Sequence, residues 1–501
     1  MTLRLLITKA IGKMAAMNTP FQFRLMDLPN ELIAHIIDQI DSIKAVRRLS
    51  RTCRRIQHLA EPLLYRRIQL RTGCDVDQII TAVSSRPERA AAIRFLDIPC
   101  DDTYPQNHAA VGALLKGASG LRELMFESPE CNSTDFEDEE EWQAMTDELF
   151  EPFEWAVASI SPTVHTRPLQ KLKKFTLHMN GADSPYWTID SRSIALLLHP
   201  SLTHLRMSCV NILDNILEDV HQKEKTPLKH LELEECNITH GGLHGILSLQ
   251  TALEELSLGE NCHNIQHFGD DIDAASNHLF QMDPQTTVAA LKQQKHSLRV
   301  LTYVTTETYY QHLQLARWVT IKKSPIDAGF ADFAALEEVT LLGQCPDFER
   351  ALMTTRSPPN LKSLTFRAMT PFRREIGSHS LPGSPLALVP FMRAPSCSIP
   401  ESLTRLKVAY YDTLPIGVGR SFSETTKGII RKAANATKKI GIELTVSYVD
   451  RSNYYPPYLW GEPQPTETIA FTGDDGFVGR FLSTHTASDD DGDDEWETDS
   501  D

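Results

Sequence analysis

The residues best suited to bind a metal or take part in a reaction form one short cluster. His263 and His267 stand four positions apart beside Cys262, and Asp270 and Asp271 follow closely. Imidazole, thiolate and carboxylate groups are the ligands of zinc sites, and a four-residue spacing aligns two side chains along a helix. The alternative is a polar insertion between repeated elements, which the sequence favours. We therefore predict no bound metal and no cofactor.

Catalytic motifs are otherwise missing from the sequence. It contains no P-loop, no G-x-G-x-x-G after a strand, no H-E-x-x-H and no G-x-S-x-G. Cys53 falls on the apolar side of a helical pattern, so we interpret it as a core residue and not as a nucleophile. The chain is predicted not to be an enzyme.

Composition narrows the possible partners and the compartment. The formal charge is −16, which argues against nucleic acid because a phosphate backbone rewards clusters of Lys and Arg. No apolar run reaches the length of about eighteen residues that a membrane span needs, so no membrane segment is predicted. The nine cysteines never form a Cys-x-x-Cys pair. They indicate reduced thiols, and hence the cytoplasm, the nucleus or both.

A helical module is predicted near the N-terminus. After Pro29 the apolar residues follow helical spacing on one face, namely Leu32, Ile33, Ile36, Ile37 and Ile40. Asp41 and Ser42 can cap a second helix, whose apolar positions run from Ile43 through Val46, Leu49 and Cys53 to Ile56. A third short helix is predicted around residues 59–64. So small a core should bury part of its apolar surface against another chain or domain.

This module resembles the F-box, and the run from Leu64 to Leu70 is similar to fungal members. The resemblance rests on Leu28-Pro29, Glu31-Leu32, Ile36, Leu49-Ser50 and Cys53-Arg54-Arg55. It implies docking to the linker subunit that joins F-box proteins to a cullin scaffold. The residues that inherit this partner-binding role are Leu28, Pro29, Leu32, Ile36 and Leu49. The chain departs from the family pattern at Thr52, where an aliphatic residue is usual, and at Ile56, where many members carry Trp.

The template L-x-x-L-x-L recurs ten times after the module, each copy predicting a short strand with alternate side chains facing one core. The copies are Ile93/Leu96/Ile98, Leu121/Leu124/Phe126, Leu172/Phe175/Leu177, Leu202/Leu205/Met207, Leu228/Leu231/Leu233, Leu253/Leu256/Leu258, Leu298/Leu301/Tyr303, Leu336/Val339/Leu341, Leu361/Leu364/Phe366 and Leu403/Leu406/Val408. Five of the spacings lie at or near the leucine-rich period of about 20 to 29 residues. A repeat cannot bury its own apolar face, so stability must come from stacking.

These patterns predict an α/β chain, in which a three-helix F-box precedes a leucine-rich-repeat solenoid with parallel strands on its concave side and helices outside. The expected divisions are 1–22 as a disordered extension, 23–70 as the F-box, 71–450 as the solenoid, 451–486 as a C-terminal cap or irregular segment, and 487–501 as an acidic disordered tail. Insertions are expected near 127–168, 259–297, 304–335 and 367–402. The acidic stretch in the first of these is interpreted as a solvated loop, with an edge that attracts a basic partner as the alternative.

The function predicted from this resemblance is that of a substrate-recognition subunit of an SCF-type ubiquitin ligase. The F-box would bind the linker subunit, and the repeats would bind a protein substrate of unknown identity. The alternative is an F-box and leucine-rich-repeat scaffold that works outside the ligase, which the departures at Thr52 and Ile56 would permit.

Overall fold

The structure is a computed structural model. It describes residues 25–99, 108–128, 139–158, 168–179, 186–214, 216–217, 225–260, 279, 283–304, 329–342, 348, 352, 357–369, 399–412, 424–450, 459–462 and 464–478.

Helices dominate the start of the chain and recur between the strands. The α-helices of the described residues are α1 Asn30–Asp38, α2 Ile43–Ser50, α3 Arg54–Leu64, α4 Gly73–Ser85, α5 Pro87–Ala92, α6 His108–Gly117, α7 Glu139–Val157, α8 His240–Ser248, α9 Pro284–Leu291 and α10 Glu424–Lys438. Short 3-10 turns occupy Leu25–Asp27, Ser193–Leu196 and Lys292–Gln294.

The strands form one large sheet. They are β1 Arg67–Gln69, β2 Phe95–Ile98, β3 Glu123–Glu127, β4 Lys174–His178, β5 Trp187–Thr188, β6 His204–Ser208, β7 Val210–Ile212, β8 His230–Ile238, β9 Glu255–Glu260, β10 Val300–Val304, β11 Glu338–Leu342, β12 Ser363–Met369, β13 Arg405–Asp412, β14 Glu443–Asp450, β15 Thr466–Thr472 and β16 Gly476–Phe477. Their order in the sheet is β1-β2-β3-β4-β6-β8-β9-β10-β11-β12-β13-β14-β15-β16, with β5 and β7 forming a short side ladder. Because neighbours in the sheet follow chain order, each connection is local.

The leucine triplets are stacked in register across this sheet. Along one row, Leu205 pairs with Leu231, which pairs with Leu256, which pairs with Leu301, and all these pairings are parallel. Every residue of the ten triplets is buried. Full burial of such a side chain contributes roughly 1.5–3 kcal/mol, so the stacked rows supply much of the stability of the sheet. The prediction of a mixed α/β chain with an N-terminal helical region is confirmed.

The triplet face of the sheet is covered by helices. Leu243 of α8 and Val288 of α9 belong to the same buried cluster as the triplets. The opposite face carries the alternate side chains, such as Lys174 and Thr176 of β4, and is called the strand face below. Two surfaces with different chemistry therefore arise from the period-two alternation of each strand.

A bulge follows the triplet in two neighbouring repeats. Cys209 and Glu235, at equivalent positions, both have φ of 53°, a left-handed conformation that non-glycine residues seldom adopt. The Cys236 thiol next to the bulge donates to the Glu234 carbonyl oxygen, and Asn237 Nδ2 donates to Asn211 Oδ1 at 2.6 Å. The first contact satisfies a backbone carbonyl at the bulge, and the second links the side chains of two neighbouring strands. Burial raises the pKa of both thiols, which suits them to a core.

The acidic stretch interpreted as a loop is in large part a helix, so that interpretation was wrong. It forms α7, whose Phe153 is buried and stacks on Phe175 of β4 with ring centroids 5.0 Å apart. Glu151 pairs with Lys116 at 2.6 Å, and Asp147 pairs with Arg192 at 2.6 Å. Apolar residues between the acids supplied enough buried surface to order the segment.

The sheet also continues past residue 450, where the sequence placed only a cap or irregular segment. β15 pairs antiparallel with β14, and β16 pairs with β15. Ala470 and Phe471 of β15 are buried against the main core. This hairpin covers the edge of the last parallel strand, which would otherwise present unpaired backbone groups.

Candidate functional site

The N-terminal helices pack around a small core of their own. Ile33 and Ile37 of α1, Val46 of α2, and Ile56 and Ala60 of α3 are buried together, separately from the core of the sheet. Ser42 caps α2 by accepting a hydrogen bond from the Ala45 backbone at 3.3 Å, as the sequence predicted. The helices thus hold one another in place through a few aliphatic contacts.

One side of α1 presents apolar side chains to the surface. Leu32 is 46% exposed and Ile36 is 39% exposed, and Pro29 before the helix is exposed as well. Their spacing of three and four residues aligns them, so we call Pro29, Leu32 and Ile36 the apolar stripe. An exposed aliphatic row of this kind is typical of a surface that another protein covers.

The other two residues predicted to bind the partner lie differently. Leu28 and Leu49 are half-buried and pack against the core of the helical module. The structure also exposes Met26 by 41% and Ile43 by 51%. Ile43 was assigned to the core by its helical spacing, and Met26 was not singled out. The only sequence signal for Met26 was its position just before the Leu28-Pro29 start of the motif.

Arg55 of α3 holds the segment that leads into the apolar stripe. Its Nη2 donates to the Leu28 carbonyl oxygen at 2.6 Å, and its Nε donates to Asn30 Oδ1 at 2.8 Å. Nη1 also donates to the Met26 carbonyl oxygen. One planar guanidinium therefore anchors three groups on both sides of Pro29, and so fixes where α1 begins.

A second charged contact joins the helical module to the next helices. Glu61 of α3 accepts from Arg89 Nη2 at 2.6 Å and from Arg86 Nη1 at 2.9 Å. Burial opposes ionisation of this carboxyl, but the hydrogen bonds from Arg89 and Arg86 outweigh it, and the pKa of Glu61 is lowered. Arg89 also lies over the Tyr65 ring. The module is thereby attached firmly to α4 and α5.

The two positions that depart from the family pattern lie in α3 and just before it. Ile56 is buried in the core of the module, so its identity affects packing. Thr52 is exposed, and its hydroxyl donates to the Leu49 carbonyl oxygen at 2.7 Å. The predicted second helix ends at Ser50, and Cys53 is the exposed residue that precedes α3. The interpretation of Cys53 as a core residue was therefore wrong.

The described part of the chain shows no metal site. The His263 and His267 cluster lies outside the described residues. Within them, no three His, Cys, Asp or Glu side chains are grouped to hold a metal. No helix in this part is long and apolar enough to cross a membrane.

Comparison with known families identifies the helical module. Residues 25–100 match the family model described as the COS11 F-box domain. The chain therefore contains an F-box domain of this type, which extends through α4, α5 and β2. F-box domains typically bind the linker subunit of cullin-based ligases. None of the curated proteins matches the chain.

Proposed function

We propose that the chain is a substrate-recognition subunit of an SCF-type, cullin-based ubiquitin ligase. The observation that carries this proposal is an F-box domain whose first helix presents the apolar stripe to solvent. In this proposal Pro29, Leu32 and Ile36 enter a groove of the linker subunit, while Leu28 and Leu49 support them from the module core.

The geometry of α1 suits this mode of binding. Helices that dock in grooves use apolar anchors three, four and seven residues apart. The apolar stripe has all three intervals, because Leu32 lies three positions after Pro29, Ile36 lies four after Leu32, and Ile36 lies seven after Pro29. Complete burial of an aliphatic side chain contributes roughly 1.5–3 kcal/mol. Leu32 and Ile36 are a little under half exposed, so covering both would contribute about 1–3 kcal/mol.

We interpret the sheet as a leucine-rich-repeat solenoid that holds the protein substrate on its strand face. Parallel strands in chain order, stacked leucine rows and helices on the triplet face all support this interpretation. The chain would act by keeping a substrate at a high effective concentration near a ubiquitin-transferring subunit. We expect this adaptor, without catalysis of its own, to work in the cytoplasm, the nucleus or both.

The decisive experiment measures binding to the purified linker subunit by calorimetry. The double variant with Leu32→Glu and Ile36→Glu should bind more than a hundredfold more weakly, because two carboxylates would then enter an apolar groove. The matched control carries Gln78→Glu and Ser84→Glu on the exposed side of α4. It adds the same charge away from the apolar stripe and should bind as the unchanged protein does.

Two results would contradict the proposal. The unchanged chain could fail to bind the linker subunit, or the variant could bind as tightly as the control. The scaffold alternative makes a different prediction in cells. If the chain acts in a ligase, proteins captured on the strand face should accumulate when Leu32→Glu and Ile36→Glu are introduced, whereas a scaffold leaves their lifetimes unchanged.

A further inference from the structure

A C-terminal segment crosses the strand face to reach the first strands of the sheet. The backbone N–H of Trp460 donates to Glu127 Oε1 of β3 at 2.8 Å. The Gln69 amide of β1, oriented with its oxygen toward the indole, accepts from Trp460 Nε1 at 3.0 Å. Leu459 beside it is buried. We call residues 459–462 with 464 and 465 the strap, since the chain returns from here to β15.

The reach of the strap requires a curved sheet. Trp460 lies only six positions before Thr466, which pairs with Asp450 at the end of β14. Six extended residues, the Glu127 side chain and the one strand spacing between β15 and β14 together span at most roughly 33 Å. This is the greatest distance from β3 to β14 that the contact allows. The sheet order places β3 and β14 nine strand spacings apart, which is roughly 43 Å if the sheet were flat. The strand face is therefore concave, and the strap lies on its concave side.

A groove of about 520 Å³ remains between the strap and the strand face. Pro465 lines one side, and residues of β4, β6, β8, β9, β10 and β11 line the other. Its volume falls within the range of about 300–1,000 Å³ that is typical of ligand sites. The strap thus borders the groove through Pro465, and the groove leaves space for an occupant.

The groove has a charged end and an uncharged end. Charged and imidazole side chains gather at β4 to β9, where the lining residues are Lys174, His204, Arg206, His230, Glu232, Glu234, Glu235 and Glu255. At the other end Val300, Val304 and Leu342 lie with Thr302 and Pro465. The rings of His204 and His230 stack with centroids 4.0 Å apart.

Acidic groups outnumber basic groups at the charged end by four to two. Arg206 is engaged by Glu234, with Nη2 to Oε2 at 2.6 Å, while Glu232 stands 3.7 Å from the same guanidinium. The side chains of Glu232 and Glu255 are about half exposed. Both carboxylates can therefore accept further hydrogen bonds from a cation in the groove.

We propose that the groove between the strap and the strand face binds an extended peptide segment that carries an Arg or Lys close to an aliphatic side chain. The cation lies between Glu232 and Glu255, and the aliphatic group lies over Val300, Val304 and Leu342. This inference rests on the proposed function, because it names the chemical class of the substrate segment that the strand face would hold.

The test uses full-length protein and fluorescein-labelled peptides of eight residues in a glycine-serine background. One peptide carries Arg two positions before Leu, and a second carries Glu in place of that Arg. Anisotropy should show at least fivefold tighter binding of the Arg peptide. The variant with Glu232→Gln and Glu255→Gln should bind it roughly threefold or more weakly, since each exposed charge pair contributes modestly. The charge-matched control replaces Glu88 and Glu401, both exposed outside the groove, by Gln.

A strap variant with Leu459→Ser and Trp460→Ser removes the anchorage that places Pro465 beside the groove, and should also weaken binding of the Arg peptide. Equal binding of both peptides, or unchanged affinity in the glutamate variant, would overturn the proposal. Unchanged or tighter binding in the strap variant would show that the position of the strap does not matter to the site. Binding of the linker subunit is measured on the same samples, so a loss confined to the peptides leaves the proposed function intact, and a loss confined to the linker subunit leaves the groove intact.

Discussion

Two buried histidines should make the stability of the fold depend on pH. His178 of β4 and His199 are each 1% exposed. Burial, and next the charge of Arg206, lower the pKa of His178 to about 3. Burial and the charge of Lys173 lower the pKa of His199 to about 4. Both imidazoles are therefore neutral in the folded protein across a range in which the unfolded chain takes up protons.

The sign and size of the effect follow from these values. Below pH 6.5 the unfolded chain binds protons that the folded protein does not, so stability falls as the pH falls, until the folded pKa is reached. At pH 5 each histidine lowers the free energy of unfolding by about 2 kcal/mol relative to pH 7. The two together reach about 4 kcal/mol, a large part of the roughly 5–15 kcal/mol of an ordinary domain.

Urea unfolding at pH 7 and pH 5 measures this loss, and a substitution isolates one histidine. His199 Nε2 has no hydrogen-bond partner among the described residues, so His199→Leu removes an uncompensated polar atom. The variant should lose about 2 kcal/mol less than the unchanged protein between the two pH values. Carboxylates titrate equally in both proteins and cancel in the difference. Equal losses would refute the reasoning, because they would mean that His199 is protonated while folded.

Two further predictions concern the helical module and the sheet. Arg55→Ala should weaken binding to the linker subunit about tenfold, because the segment before α1 loses its anchor. Arg55→Lys should have an intermediate affinity, because an ammonium cannot replace a planar fork of donors. Calorimetry with both variants checks this, and affinities equal to that of the unchanged protein would contradict it. Leu231→Ala should lower the free energy of unfolding by about 2–5 kcal/mol through a cavity in the stacked row. Glu232→Ala, one position along on the strand face, is its control in thermal melts and should change stability little.

The positions of the strands were predictable because each triplet couples sequence spacing to burial. In Leu228-x-x-Leu231-x-Leu233 the last two residues alternate along one strand, and the first precedes it. The pattern needs no knowledge of distant residues, since each strand pairs with the next one in the chain. Local alternation therefore carried most of the information about the sheet.

The pattern could not decide which apolar residues of α1 meet solvent. Leu32, Ile33, Ile36 and Ile37 are all aliphatic, so helical spacing defines one broad apolar face. The structure buries Ile33 and Ile37 and exposes the other two. Packing against α2 and α3 makes this distinction, and helical periodicity does not contain it.

The contact of Trp460 with Glu127 was beyond sequence reasoning for a different reason. The two residues are 333 positions apart, and neither belongs to a repeated motif. The sequence predicted a C-terminal cap or irregular segment over 451–486, with no contact to the start of the sheet. Residues 451–458 lie outside the described residues, while Trp460 itself contacts the first strands. Only the curvature of the whole sheet brings the two ends close enough for one hydrogen bond.

The attachment of the F-box to the sheet bears directly on the proposed function. Only Tyr65 and Arg66 separate α3 from β1, and Glu61 ties α3 to Arg86 and Arg89. A flexible linker would spread a bound substrate over a large volume and lower its effective concentration. Here a two-residue connection and the ion pairs of Glu61 join the helical module to the first part of the sheet, and the strap reaches β1 through Gln69. Because the connection is short and the strap beside the proposed groove reaches the F-box end of the sheet, a linker subunit bound to the apolar stripe would keep the groove within a small volume.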